Sequence, residues 1–386
     1  MSTVIRSMII RIYPTKDQEQ KIWQHIGASR FIWNYMLNLQ NERYKNGERC
    51  IGSYAMNRII TSLKQEEDTK WLCDISTRSL YKVTMNLERA YGSLFKKNAR
   101  HPKFKSKKKS KASYPVSDSC GAVWFSEEFV KIPLIGRMAY KTNYEVPLGR
   151  DKKFSNVYIQ YTSNHKWVIT VGVERESQAS VSSGDSMGID LGVKELAVVA
   201  FGDEQIVFHN KNKSKKVRQL RRKLKHLQRN LARKYRTNGS YEETNAIKEL
   251  KDQIKRLYFH ISNIQKDYIH QTTNTLVSLS PGRVVMEDLN VKGMMKNRCN
   301  SRAIGEQCFS EFIRQMKYKC EERGIEFYQV DRFYPSSKTC SCCGAIKKDL
   351  QQSDRTYICK ECGITIDRDY NAAINLMKYK IHNEES

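Results

Sequence analysis

No stretch of this 386-residue chain approaches the ~20 consecutive apolar residues that a membrane-spanning helix needs, and its first residues hold no apolar signal core. Those absences predict a protein with no membrane partner, in the cytoplasm and associated with the nucleoid. Acid is also short: 41 Asp and Glu face 68 Lys and Arg, a formal charge of +27. Such a surplus excludes a charge-balanced surface and directs the chain to polyanions, with strongly salt-dependent binding. Over most of the length cysteine is sparse. Six residues (Cys50, Cys73, Cys120, Cys299, Cys308 and Cys320) are scattered singly, and the other five crowd into residues 340–362. The scatter argues against a disulfide framework, and the crowding argues for one metal site in a reducing compartment.

That crowded region says most about the chain. Two Cys-x-x-Cys knuckles, Cys340 with Cys343 and Cys359 with Cys362, are separated by 15 residues, which is zinc-ribbon spacing. Four thiolates suffice for a closed tetrahedral zinc site with a structural role. Cys342 is an alternative to Cys343, although the Cys-x-x-Cys-Gly pattern favours Cys343. Gly344 and Gly363 follow the knuckles and allow the tight turns there. Structural zinc contributes on the order of 10 kcal/mol, so the ribbon is expected to unfold without metal.

Along the chain, residues 4–13 alternate and end at Pro14, as a strand does. Apolar residues then recur at helical steps (Ile22, Trp23, Ile26, Phe31, Tyr35), with further helices over 54–63 and 79–95. Residues 96–111 are densely basic with interleaved Phe104 and His101, as in a loop laid along a phosphate backbone. Short strands separated by Gly, Asn, Asp and Ser fill 112–176 and predict a small β-barrel completed by the first strand. A Ser-rich linker leads to strands at 187–192, 196–201 and 205–209. Two apolar stripes follow, Val217 to Leu231 and Ile247 to Tyr268, which predict an antiparallel helical hairpin with its turn at 237–240. Its outer face, including Arg218, Arg221, Arg222, Lys225 and Arg229, is read as uncompensated and suited to nucleic acid. An apolar strand ending at Glu287, a helix over 306–323 and a strand over 325–330 lead to the ribbon, and a last helix begins near Asp369.

Three carboxylates stand where chemistry is expected. Asp190 lies on an apolar strand between glycines, Glu287 ends another, and Asp369 opens the last helix. Singly, each has an ordinary explanation: a turn residue, a surface charge, a helix cap. Together they meet the need of phosphodiester hydrolysis, in which two divalent ions ~4 Å apart are held by acidic oxygens from different elements. Hard oxygen ligands suit Mg²⁺ or Mn²⁺.

The segments Gly188-Ile189-Asp190-Leu191-Gly192, Met286-Glu287-Asp288-Leu289-Asn290, Tyr334-Pro335-Ser336-Ser337-Lys338-Thr339-Cys340 and Asp367-Arg368-Asp369-Tyr370-Asn371-Ala372-Ala373 carry a likeness. With Arg11-Ile12-Tyr13-Pro14-Thr15 and Arg30-Phe31-Ile32-Trp33-Asn34, they make the chain resemble the TnpB family of transposon-encoded RNA-guided DNA nucleases, related to type V CRISPR effectors. The resemblance implies a multidomain α+β protein. A wedge β-barrel (1–15 and 112–180) would be interrupted by a helical recognition lobe (16–111). An RNase H-like RuvC domain (181–333, with the hairpin at 211–270, and 367–386) would be interrupted by the zinc ribbon (334–366). It also implies Asp190, Glu287 and Asp369 as catalytic, magnesium-binding residues, Asp367 as support or cap, and Arg368 near the scissile phosphate. The implied partners are a guide RNA from the transposon end and double-stranded target DNA; the sequence leaves the oligomeric state open, with a monomer favoured. Recognition of a short motif beside the target falls to the lobe, where Tyr54, Asn57, Thr77, Arg78, Tyr81 and Lys82 are candidates. A miniature type V effector, a nuclease-inactive RNA-guided repressor and a transposase or resolvase working without RNA are the alternatives.

Overall fold

The computed structural model describes residues 3–118, 121–176, 184–237, 243–296, 301–351 and 354–380. The chain divides into two compact units, residues 5–175 and a second formed by 176–386 with 1–4.

In the first unit, β1 (Thr3–Tyr13) is followed by α1 (Lys16–Lys45), α2 (Ser53–Leu63), a 3₁₀ helix (Glu67–Asp74) and α3 (Thr77–Phe95). Then come β2 (Ala112–Pro115), β3 (Trp124–Phe125), β4 (Phe129–Ile132), β5 (Gly136–Lys141), β6 (Ser155–Tyr161) and β7 (Trp167–Glu176). The change of period after Pro14 has a local cause: the Thr15 side chain accepts from the Gln18 N–H while the Gln18 side chain accepts from the Thr15 N–H, a capping box that starts α1. Helices α1, α2 and α3 share a core of Ile32, Met36, Met56, Ile60, Leu80 and Leu87.

The strands form one seven-stranded sheet in the order β2-β6-β7-β1-β5-β4-β3. Met8, Ile10 and Ile12 alternate inward along β1 against Ile159, Ile169 and Val171. The expected barrel is not closed by a β2–β3 pairing among the described residues. Strand β3 spans two residues and β2 ends at Pro115, which has no N–H to give. Ile22 and Ile26 of α1 pack into the same apolar core.

The second unit contains β8 (Ser186–Leu191), β9 (Glu195–Phe201), β10 (Glu204–His209), α4 (Lys215–Thr237), α5 (Asn245–Ser278), β11 (Arg283–Glu287), α6 (Val291–Met294) and α7 (Ser301–Gln307). It continues with α8 (Phe309–Glu322), β12 (Glu326–Val330), β13 (Thr356–Ile358), β14 (Thr365–Asp367) and α9 (Arg368–Met377). Its five-stranded sheet runs β10-β9-β8-β11-β12, antiparallel from β10 to β8 and parallel from β8 to β12. The central strands are apolar on both faces, as strands covered on both sides must be. Helices α5 and α8 cover one face through Ile269, Leu276, Phe312 and Met316, and α9 covers the other through Ala373 and Leu376.

Gln228 of α4 donates to Tyr258 of α5, while Arg221 and Gln265 both donate to Asn212, so α4 and α5 run antiparallel. The turn expected at 237–240 lies, beyond Thr237, outside the described residues. The single helix expected over 306–323 is two. Cys308 takes a left-handed conformation (φ 54°), and the Gln307 side chain donates to the carbonyls of Gly192 and Val193 at 3.1 Å each. The helix breaks where its chain is tied to the loop after β8.

Candidate functional site

Asp190 is the fifth residue of the central strand β8, and Glu287 is the last residue of its parallel neighbour β11. Met286 lies opposite Ile189, so the next step along both strands sets the two carboxylates side by side. Asp369 is the second residue of α9, and its position follows from how that helix meets β8. A Cβ on Gly188 would come within 2.0 Å of the Ala373 carbonyl oxygen, so helix and strand touch backbone to backbone there. Asp190 is two residues along the same strand face, and Asp369 is about one turn back along the helix. The contact at Gly188 therefore brings the third carboxylate toward the first.

All three line one cavity of about 790 Å³, with Lys194, Lys338, Arg355 and Arg368 on its walls. Each of the three is half-buried. Burial pushes the Asp190 carboxyl well above the usual carboxylate range; Glu287 and Asp369 push it the same way, and Arg368 opposes them. Burial also raises Glu287, against a hydrogen bond from Ser336. Adjacent Asp288 is turned to Arg332 at 2.5 Å. Hard carboxylate oxygens gathered around a buried Asp190, whose proton affinity they raise, are the donor set a divalent cation relieves. The residues fit such an ion.

Arg368 binds Asp369 through Nη2 at 2.8 Å and Nε at 3.1 Å. Asp367 caps α9, its Oδ1 accepting from the N–H groups of Asp369 (2.9 Å) and Tyr370 (3.1 Å). With the cap filled by Asp367, the carboxylate of Asp369 is left for the cavity.

The ribbon is joined to this cavity by side chains the sequence reading did not single out. Ser336, 2 % exposed, donates its hydroxyl to Glu287. Asn375 donates to the carbonyls of Ser336 at 2.7 Å and Thr339 at 2.6 Å. Asn371 donates to Thr339 at 2.8 Å and accepts from the Ser341 N–H at 2.9 Å. Both asparagines are buried and lie on the inner side of α9. Their available signal was the spacing of 371 and 375, one helical turn apart in a stretch otherwise apolar.

The Sγ atoms of Cys340, Cys343, Cys359 and Cys362 lie within 4.8 Å of one another, and Cys342 is outside the group. Among the described residues no other set of three or more His, Cys, Asp or Glu ligand atoms is so tight. The three carboxylates of the cavity do not form so tight a cluster. Gly344 and Gly363 both have positive φ, 77° and 72°, where each knuckle turns. Four convergent thiols fit zinc.

Elsewhere the expected surfaces are mixed. Arg218, Arg222, Lys225 and Arg302 line a groove of about 740 Å³ beside α4 and α5, but Arg221 there is paired with Glu306 rather than uncompensated. In the first unit, Tyr54 is exposed beneath the Arg58 guanidinium, and Arg78 is exposed. Asn57 accepts from Thr84, Thr77 accepts from Lys64, and the Tyr81 hydroxyl meets that of Thr61, so these three have internal partners. Among the described residues no helix is long and apolar enough to cross a membrane.

Three families match parts of the chain: "Helix-turn-helix domain" over residues 1–49, "Probable transposase" over 168–298 and "Cas12f1-like, TNB domain" over 309–376. The first of these segments is one strand and one unbroken helix here. A protein of Escherichia coli (strain K12), "Putative RNA-guided DNA endonuclease InsQ", is 30 % identical over 97 % of this chain and 92 % of its own length. The Streptomyces pristinaespiralis "Putative RNA-guided DNA endonuclease" is 26 % identical over 98 % of this chain and 90 % of its own. Among solved structures, a Cas12f1–sgRNA–target DNA complex matches with a TM-score of 0.62 at 14 % identity, covering 97 % of this chain and 99 % of the other. That likeness is one of fold.

Proposed function

Since the chain belongs to the TnpB family of transposon-associated RNA-guided DNA endonucleases, we propose that Asp190, Glu287 and Asp369 are its nuclease centre, cutting target DNA selected by a bound guide RNA. The single observation that carries this assignment is the convergence of the three on one cationic-walled cavity with Asp190 driven far up in proton affinity. The strand order β10-β9-β8-β11-β12, with carboxylates at the ends of β8 and β11, supports an RNase H-like (RuvC) reading of the second unit. The Cys340, Cys343, Cys359 and Cys362 quartet supports a structural zinc.

Two Mg²⁺ or Mn²⁺ ions held by these carboxylates would activate the attacking water and stabilise the departing 3′-oxygen. The carboxylates supply the oxygens, and Ser336 orients Glu287. Arg368 holds Asp369. Lys194, Lys338 and Arg355 give the cavity wall the positive charge that draws a DNA strand in and holds its phosphates for in-line attack, in which the P–O3′ bond breaks as the water–phosphorus bond forms. We further propose that the guide derives from the transposon end, that the first unit reads the motif beside the target, and that the protein acts as a monomer. A charge of +27 supports a long phosphate footprint, since a heteroduplex of ~20 base pairs carries about 40 phosphates.

The test is the purified protein–RNA complex with a target matched to its guide. Asp190→Ala, Glu287→Ala and Asp369→Ala should each abolish cutting while RNA and target binding persist. Normal cutting by Asp190→Ala would sink the assignment.

A further inference from the structure

The basic segment between α3 and β2 is fastened to α1. Trp33 Nε1 donates to the Lys103 carbonyl at 3.0 Å. Asn34 clasps Lys105 on both sides, donating to its carbonyl at 2.9 Å and accepting its N–H at 2.7 Å. The clasp sets the Lys105 ammonium 3.6 Å from the centre of the Trp33 ring. There it borders a recess of about 250 Å³ that Ser29, Arg30, Asn86, Lys111 and Tyr158 also line. Asn86 donates to the Tyr158 hydroxyl at 3.1 Å, which fixes one wall.

The recess has three cations on its lining and no carboxylate. Burial drives the Lys105 pKa down to about 8, and the charge of Arg30 lowers it as well. The Trp33 face offsets part of that cost by cation–π attraction. The Ser29 hydroxyl, 5 % exposed, has no hydrogen-bond partner among the described residues. A desolvated Lys105 beside a like charge and without a counter-charge is unfavourable by itself and becomes favourable when an anion sits between the two. At about 250 Å³ the space is smaller than the ~300–1,000 Å³ of small-molecule sites, which excludes a nucleotide-sized cofactor and leaves room for one phosphate group.

We propose that this recess binds a single internucleotide phosphate of a nucleic-acid strand, with Lys105 and Arg30 as its paired cations and the Trp33–Asn34 clasp as their support. The site belongs to the first unit and stands independently of the nuclease assignment. Guide RNA and target DNA offer the same group, and the experiment separates them.

Lys105→Met keeps the side-chain stem against Trp33 and removes the charge. Binding would be measured over a salt series in two arms: guide RNA to the protein, and matched, uncut target DNA to the protein–RNA complex. Loss of one phosphate contact lowers the slope of log K against log salt by about 0.7 for a single strand and about 0.9 for a duplex. The slope should fall in one arm, which identifies the strand, and equally for targets of any sequence. Arg30→Gln should lower the same slope, and it carries the test if Lys105→Met does not fold. The melting temperature of RNA-free Lys105→Met should not drop, because a desolvated charge has been removed. Unchanged slopes in both arms for both variants would overturn the proposal.

Discussion

The Ser336 hydroxyl donates to the Glu287 carboxylate, and both ends of that bond are held from elsewhere: Glu287 by the sheet, Ser336 by Asn375 of the last helix. A residue at the start of the ribbon thus sets the orientation of a carboxylate on β11. Hydrogen bonds to charged groups contribute about 1.5–3 kcal/mol. Ser336→Ala should therefore slow cutting by roughly 10- to 100-fold at limiting Mg²⁺, recover partly as Mg²⁺ is raised, and leave target affinity unchanged. Cleavage rates over a Mg²⁺ titration check this. A loss independent of Mg²⁺ would place Ser336 outside the carboxylate's business.

Asp190 makes a pH prediction. Its folded pKa lies well above its ordinary value of 3.8, so the fold without added Mg²⁺ keeps a proton that the unfolded chain has released. That contribution is fully present below the ordinary carboxylate range and is lost as pH rises toward the raised folded pKa. Asp190→Asn removes the dependence. With zinc left in place and no Mg²⁺ added, the variant should melt higher than the wild type at neutral pH, by a margin that shrinks on acidification, and should not cut. Thermal scans at several pH values read it out; an equal margin at every pH would contradict it.

Gly188→Ala tests how α9 is seated. The added methyl would meet the backbone of Ala373 and Met377, at 2.0 Å and 2.4 Å, and backbone cannot step aside as a side chain can. Overpacking of this kind costs typically about 1–3 kcal/mol. The variant should melt lower and lose cutting disproportionately, because the displaced helix carries Asp369. Melting and cleavage assays on one preparation decide it: normal cutting with a lowered melting point would separate the helix seat from the active site.

Zinc removal should act at a distance. Cys359→Ser breaks the quartet, and structural zinc is worth on the order of 10 kcal/mol to such a fold. Strand β14 ends at Asp367, which is itself the cap of α9, so loss of the ribbon loosens Asp369. Zinc content by elemental analysis should fall together with cutting, and added Mg²⁺ should not restore it. Cys342→Ser should retain both.

Much of this was legible because the signals were periodic or spaced. Alternation placed β1, the break at Pro14 and the helical steps from Ile22 onward placed α1, and the knuckle spacing identified the quartet. The expectations that failed depended on partners distant in sequence. Nothing around Cys308 forecasts a helix break, since its cause is Gln307 reaching carbonyls more than a hundred residues away. An isolated Arg221 reads as one more free cation until Glu306 arrives beside it. Ser336 could be quoted as part of a motif, but its role needed Glu287 and Asn375 in space. Barrel closure depended on the lengths of β2 and β3, and boundaries of short strands are faint in composition.

The seating of α9 also fixes an order of events in time. Some eighty residues separate Glu287 from Asp369 along the chain. At ~5–20 residues per second, a ribosome takes several seconds to cross them. Throughout that interval the growing chain has already emerged with its clasped basic segment and much of its charge, yet two carboxylates stand without the third. Only when the thiols have captured their metal and the last helix has closed over Gly188 is the set complete. If these carboxylates are the nuclease centre, a nascent or prematurely ended chain holds only two of the three and should not cut.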